Sequence, residues 1–285
     1  MIPKHHIVTN GSGFDLADCV TVGLHEPIEK QEAKDRLLEN VKRMSVLQDK
    51  LYAQNHYGVL IIFQAMDTAG KDGAIKHVMS GLNPQGTHVH SFKAPTHEEL
   101  DHDYLWRATK NLPERGQIGI FNRSYYEDVL VVKVHNLVQN QPLPKHLIAQ
   151  PAVWKKRYRQ ISDYEQHLTE NGYIILKFFL HISKEEQRIR LLERIDDPSK
   201  NWKFEAGDIK ERAFWEQYQQ AYSEAIAHTA TAEAPWYVIP SDKKWHARMA
   251  ISEIIVQKLE SLDLHYPAVS DAQKTLLEKC RLELM

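Results

Sequence analysis

Residues 63–73 read FQAMDTAGKDG, and the fold turns on whether this stretch is a phosphate-binding loop. The usual pattern is G-x-x-x-x-G-K-[ST]: backbone amides cradle the phosphates, the lysine reaches them and the hydroxyl meets magnesium. Here Gly70 and Lys71 stand in place. Ala65 replaces the first glycine, Asp72 replaces the hydroxyl residue, and Asp67 is added inside the loop. The flanks suit the pattern. VLIIF at 59–63 is a continuous apolar, β-branched run, the mark of a strand buried on both faces, and a helical stretch over 74–82 leaves the loop. In that context the backbone N–H groups of Ala69, Gly70, Lys71, Asp72 and Gly73 point at an anion. Gly70 and Gly73 permit an approach that a Cβ hinders, and Lys71 adds a point charge. A plain strand–turn–helix connection accounts for Gly70 but not for a lysine set between Asp67 and Asp72. Both acids are candidates to hold Mg²⁺. Asp67 comes first because it lies in the loop proper, whereas Asp72 also suits a helix first turn, where the macrodipole favours an acid.

Outward from the loop, strands and helices alternate. Residues 1–25 read as an irregular arm, and 26–55 as an amphipathic helix with Leu37, Val41, Met44, Leu47 and Leu51 on one face. Further strands are expected at 87–92, 118–121, 173–181 and 236–239. Helices are expected at 96–112, 122–132, 154–171, 183–195, 208–228, 245–262 and after Ser270. Thr96 with Glu99, and Ser183 with Glu186, have capping-box spacing. A polar, irregular stretch at 196–207 separates two helices. Strands alternating with helices imply a mainly parallel sheet covered on both faces, with ligands beyond the C-terminal ends of the strands. The chain divides into an arm and helix (1–57), a core (58–265) with the 196–207 insertion, and a C-terminal helix (266–285).

Composition excludes several classes. The 285 residues are 42% apolar and 26% charged, with a formal net charge of −2, an ordinary globular balance. No overall basic field argues for nucleic acid, so an anionic ligand must be held by a local cluster. Cys19 and Cys280 have no metal-ligand spacing, which fits a cytoplasmic protein. No apolar run approaches the ~18 residues of a membrane span, and the N-terminus lacks a signal-peptide stretch.

A second constellation follows the strand at 118–121: Asn122, Arg123, Glu127 and Asp128. A Walker B segment supplies an Asp for magnesium at this place; here Asn122 occupies it. Arg123 can fork onto phosphate oxygens or form a structural ion pair. Glu127 and Asp128 read equally as ligand contacts or as a solvated face. A third constellation, 188–212, interleaves Arg188, Arg190, Arg194, Lys200, Lys203, Lys210 and Arg212 with acids, Trp202 and Phe204. It reads as a solvated charged hairpin or as a lid that closes over phosphates. Lys93 and Arg107 flank the strand that carries His88 and His90 and are candidates to reach a phosphate, on which their spacing alone says little. Lys155, Lys156, Arg157 and Arg159 read as a polyanion path or a solvated helix face. His88 and His90 share a strand face, but no third metal ligand accompanies them.

Together these stretches resemble the family 2 polyphosphate kinases. The resemblance rests on FQAMDTAGKDGAIKHVMSGLNPQG, SFKAPTHEELDHDYLWR, IGIFNRSYYEDVLVVKVH, ILKFFLHISKEEQ, NWKFEAGDIKER and APWYVIPSDKKW, spread over about residues 58–246. The altered loop A-M-D-x-A-G-K-D-G is the family's own form. The resemblance implies a P-loop kinase-like three-layer α/β/α sandwich with a helical lid at about 196–207. It implies phosphoryl transfer between inorganic polyphosphate and adenine or guanine nucleotides with Mg²⁺, Mn²⁺ being able to replace it. Asp67 would then bind metal and orient phosphates, Lys71 would neutralise the transferring group, Arg123 would stabilise phosphate charge, and Arg188, Arg194 and Lys203 would contact phosphate from the lid. The segment 122–128 with Glu127 resembles the subclass acting on both AMP and ADP. Likeness to the family suggests a homo-oligomer, dimer or tetramer, for which the apolar stripe of the 26–55 helix is a candidate surface.

Two other readings stay open at this stage. One is a nucleoside monophosphate kinase with ATP as donor. The other is a non-catalytic phosphate-binding protein, against which the joint presence of Asp67, Lys71 and Arg123 argues.

Overall fold

The structure, a computed structural model, describes residues 6–23, 28–149 and 151–285. Six strands form one sheet: β1 (Ile7–Val8), β2 (Gly58–Ala65), β3 (Thr87–Ser91), β4 (Ile118–Asn122), β5 (Tyr173–His181) and β6 (Trp236–Pro240). Their order is β1-β6-β5-β2-β4-β3. All neighbours are parallel except β1, which runs antiparallel to β6. The expected α/β architecture is therefore present. β2 lies between β4 and β5 and is buried at all eight positions. Its unbroken apolar run reflects helices on both faces, which leave no side of the strand to water.

The helices are α1 (Lys30–Gln54), α2 (Lys71–Val78), α3 (His97–Leu100), α4 (Trp106–Thr109), α5 (Val131–Val134), α6 (Ala152–Glu170), α7 (Lys184–Asp196), α8 (Ala206–Arg212), α9 (Trp215–Thr229), α10 (Lys244–Glu260) and α11 (Asp271–Leu284). α10 packs against both α1 and α2 in one layer, and α6 packs against α9 in the other. The sheet between them completes a three-layer sandwich.

Several expectations are corrected. Part of the arm pairs with the sheet as β1, a strand too short to show any period. Residues 26 and 27, where the first helix was expected to start, and residues 1–5, 24 and 25 of the arm lie outside the described residues. The stripe on α1 faces its own chain: Met44 and Leu51 are fully buried, and Leu37, Val41 and Leu47 pack on the core. Most of the stripe is therefore used within the chain. The helix expected over 96–112 is two short helices, α3 and α4; its cap is present, with Thr96 and Glu99 bonded reciprocally. The helix expected over 122–132 is a 3₁₀ turn, Tyr125–Val129, followed by α5. The helix expected over 208–228 is split into α8 and α9. The Ser183 hydroxyl accepts from Glu186 N, but the Glu186 carboxylate is bonded to Arg190.

One buried polar network ties the β5 face to α6, α9 and the turn after β4. Lys177 and Glu165 are 0% and 1% exposed and lie 2.5 Å apart. Glu165 Oε1 accepts from the hydroxyls of Tyr125 and Tyr126, each at 2.8 Å. Lys177 Nζ also donates to Thr229 O at 2.8 Å and to Tyr126 Oη at 3.2 Å. A buried charge pair satisfied this fully fixes the elements that carry it.

Candidate active site

The parallel strands end on one edge of the sheet. There lies a cleft of about 1010 Å³ whose lining runs from Ala65–Gly73 through Ser91–Ala94, Asn122–Arg123 and Glu127 to Gln187, Arg190, Arg194 and the start of α10. Nine Lys or Arg face seven Asp or Glu in this lining. A chain with net charge −2 thus gathers a local cationic surplus where the strands end, as a bound polyanion requires.

The loop between β2 and α2 is built from unusual backbone. Thr68 has φ +65° and Gly70 has φ +105°. Gly70 is the N-cap of α2, and Ala74 N donates to its carbonyl at 2.9 Å, so the first amides of α2 have no partner within the helix. Gly73 lets Arg248 approach closely: an added Cβ would sit 3.0 Å from its Nη2. Lys71 Nζ donates to Ala65 O at 3.0 Å. Burial and the charge of Arg123 lower the Lys71 pKa, against the pull of Asp67 and Glu127.

Arg123, also at positive φ (+63°), leaves the end of β4 and donates to Asp67 Oδ1 at 3.4 Å. Its other nitrogen stands 4.0 Å from Glu127. Burial raises the pKa of Glu127, against the pull of Arg123 and Lys71. The buried Gln64 amide donates to Glu127 Oε1 at 3.0 Å. Asn122 Nδ2 donates to Asp72 Oδ1 at 2.8 Å, so the residue at the Walker B place orients the first-turn acid of α2. The structure thus brings Asp67, Lys71, Asp72, Asn122, Arg123 and Glu127 to one point, with Gly70, Gly73 and Lys93 in the same lining. Ala69 sits in the loop itself, its carbonyl turned away to Arg190. From α7 and the segment after it come Arg194 and Lys203; Arg194 Nη1 is held by Asp208 at 3.1 Å.

Other candidates lie elsewhere. Arg188 is exposed and paired with Glu185 at 2.6 Å; on α7 it points away from the cleft. Arg107 is buried, donates to Lys93 O at 2.8 Å and stacks over Phe92, so it holds the segment carrying Lys93 and does not reach the cleft. Asp128 is turned to Arg157 and Gln141, away from Glu127. None of Lys155, Lys156, Arg157 and Arg159 lines the cleft. His88 bonds Gln117 at 2.6 Å and His90 meets Phe92 edge to face. Among the described residues no three His, Cys, Asp or Glu side chains gather to hold a metal, and no helix is long and apolar enough to cross a membrane.

Sequence reasoning did not single out Gln187, Lys244, Arg248, Tyr218 or Tyr222, and it left Arg190 unassigned within the charged hairpin; all line the cleft. A signal existed for Lys244 and Arg248. They are one turn apart at the start of the helix that follows β6, and every parallel strand of such a sheet opens on the same edge.

Comparison with known proteins points one way. The family model described as polyphosphate kinase 2 matches residues 27–266. An ADP-polyphosphate phosphotransferase of Rhodopseudomonas palustris is 50% identical over 257 residues, covering 90% of this chain and 89% of that one. An AMP/ADP-polyphosphate phosphotransferase of Meiothermus ruber is 48% identical over 248 residues, covering 87% and 89%. A crystal structure of polyphosphate kinase 2 from Arthrobacter aurescens superimposes with a TM-score of 0.86 at 41% identity, over 95% of each chain.

Proposed function

As the chain belongs to the polyphosphate kinase 2 family, we infer that it transfers phosphoryl groups from inorganic polyphosphate to AMP and ADP, reversibly, giving ADP and ATP. One observation carries this reading: relatives named for that reaction match nearly the whole chain, and within the match Asp67, Lys71 and Arg123 converge on one cationic cleft. Activity on ADP is common to both relatives' names, whereas activity on AMP rests on the Meiothermus ruber relative and on the segment with Glu127.

The geometry suits phosphoryl transfer, which needs alignment and charge neutralisation more than covalent work by the protein. An acceptor phosphate oxygen is already ionised near pH 7, so no dedicated base is required. The amides at the start of α2 and the Lys71 ammonium face the transferring group, and Arg123 opposes charge on its oxygens. Its hold on Asp67 at 3.4 Å is loose enough to be exchanged for a phosphate. Magnesium is proposed as the cofactor, with Mn²⁺ as a substitute. It binds through one or two carboxylates plus substrate phosphates and water, with no all-protein cage. Asp67, partly exposed in the cleft, fits that role, and bound metal would neutralise phosphate charge there. A cytoplasmic homo-oligomer is proposed on family likeness.

The test is incubation with AMP, Mg²⁺ and long-chain polyphosphate without ATP, with guanine nucleotides in parallel and a Lys71→Ala control. The expected result is ADP first and ATP later, both lost in the variant; removal of an oxyanion-stabilising donor typically costs about 10²–10³ in rate. ADP formed from AMP only when ATP is the donor would move the protein to the monophosphate kinases.

A further inference from the structure

α7 grips the loop through its backbone. Gln187 Nε2 donates to Asp67 O at 3.2 Å. One turn on, Arg190 Nη1 donates to Thr68 O and Ala69 O, both at 3.0 Å. Three successive carbonyls are therefore held by two side chains of one helix face. The other end of the Arg190 fork donates to Ser241 O at 2.7 Å and Asp242 O at 3.0 Å, and Nε donates to Glu186 at 2.8 Å. A guanidinium has five N–H donors and no acceptor. All five are engaged, and the side chain is 3% exposed. Although Arg190 borders the cleft, it has no donor left for a phosphate.

We propose that Gln187 and Arg190 are positioning residues for phosphoryl transfer: they hold the carbonyls of residues 67–69 on the α7 side, so that the Asp67 carboxylate and the amides leading into α2 face the cleft. The positive φ of Thr68 makes such a hold necessary, since a non-glycine residue keeps that conformation only where its surroundings impose it. Gln187 also joins the loop to α8. Its Oε1 accepts from Arg212 of α8 at 2.8 Å, while Arg194, two turns beyond Gln187 on α7, reaches Asp208 of α8. α8 and the loop thus share one support.

The proposal rests on the reading of the loop as the seat of the reacting phosphates. Its test compares wild type, Arg190→Lys and Gln187→Met for kcat, for the KM of polyphosphate and of ADP, and for melting temperature. Tripolyphosphate binding is read by calorimetry in the same three proteins. A lysine has one nitrogen and cannot span two pairs of carbonyls. With Arg190→Lys, kcat should fall about 10–100-fold and tripolyphosphate should bind more weakly, while the KM for ADP stays within about threefold. Gln187→Met should shift the same quantities less. Arg190→Ala should regain part of its kcat on addition of guanidinium at low millimolar concentration; if it does not fold, the other two variants decide. Arg190→Lys with kcat within about twofold of wild type and unchanged tripolyphosphate binding would overturn the proposal. An inactive wild type would sink the proposed function instead, and the calorimetry would still decide the positioning role.

Discussion

Replacing Glu165 with leucine removes the only counter-charge of Lys177 in the buried network. The ammonium would keep Thr229 O at 2.8 Å and the Tyr126 hydroxyl at 3.2 Å, but no anion. Breaking a buried pair by removing one partner costs about 3–5 kcal/mol. At about 2.1 cal/mol/K of unfolding entropy per residue, that is a drop of about 5–8 °C in melting temperature for a chain of this length. Lys177→Met should cost less, because Glu165 keeps the two tyrosine hydroxyls that donate to Oε1. The double variant should recover at least about 2 kcal/mol relative to the sum of the singles, since a matched apolar pair leaves no orphaned charge. There is also a pH signature. Burial already lowers the Lys177 pKa, against the pull of Glu165, and losing Glu165 lowers it further. A base with a depressed folded pKa binds fewer protons folded than unfolded, so stability rises with pH between the two pKa values. The Glu165→Leu deficit should therefore shrink from pH 7 towards pH 10. Calorimetric melting of the four proteins at both pH values is the assay. Additivity within about 0.5 kcal/mol, with a deficit independent of pH, would refute the account. Since Tyr125 and Tyr126 sit between Arg123 and Glu127, kcat at 25 °C should also fall in Glu165→Leu.

Two further outcomes follow from the loop and from the buried imidazoles. Gly70→Ala places a side chain at φ +105°, where the nearest obstacle to its Cβ is Arg190 Nη1 at 3.8 Å. Space is adequate but the conformation is not, so strain of about 1–2 kcal/mol should appear as a loss of turnover of about tenfold or more, with Gly70→Asn milder; unchanged turnover in Gly70→Ala would show that the loop does not need this conformation. Burial lowers the pKa values of His181 and His246 to about 4, against about 6.5 in the unfolded chain. The unfolded chain then binds more protons between those values, so stability should fall as pH drops from about 6.5 to about 4, by roughly 3 kcal/mol per histidine. Melting curves across that range check it, and His181→Gln with His246→Gln should flatten the slope.

How much of this was legible in the sequence depended on whether a residue's task left a local mark. β2 and β5 were legible because strands buried on both faces need unbroken apolar runs, and the loop was legible because glycine and lysine in fixed order have few other uses. β1 was not: two residues carry no period, and only pairing with β6 defines them. The split of the 96–112 stretch was missed because the cap at Thr96 signals a start, while the stop at Asp101 has neither glycine nor proline to announce it. Asp128 was grouped with Glu127 because both are acids, yet neighbours in a 3₁₀ turn point apart, one to Gln64 and Arg123 and the other to Arg157.

The sharpest failure concerns α7, and it shows what a hydrophobic pattern cannot encode. Read by pattern, its apolar face should be inside and its arginines outside. The structure inverts most of this: Ile189, Leu192 and Ile195 are exposed, whereas Gln187 and Arg190 are buried, with Leu191 the one apolar side chain of α7 that is buried beside them. The reason is the surface that α7 covers. It packs on the loop backbone and on the turn after β6, whose carbonyls point towards it, and buried carbonyls need donors more than they need apolar contact. Arg188 and Arg190, two positions apart, fall on opposite sides of a helix, so one fills that need while the other meets solvent and Glu185. Counting charges in the 188–212 stretch could not separate them. Only the direction of three loop carbonyls does, and that direction is set by the positive φ of Thr68, a conformation the sequence FQAMDTAGKDG does not display.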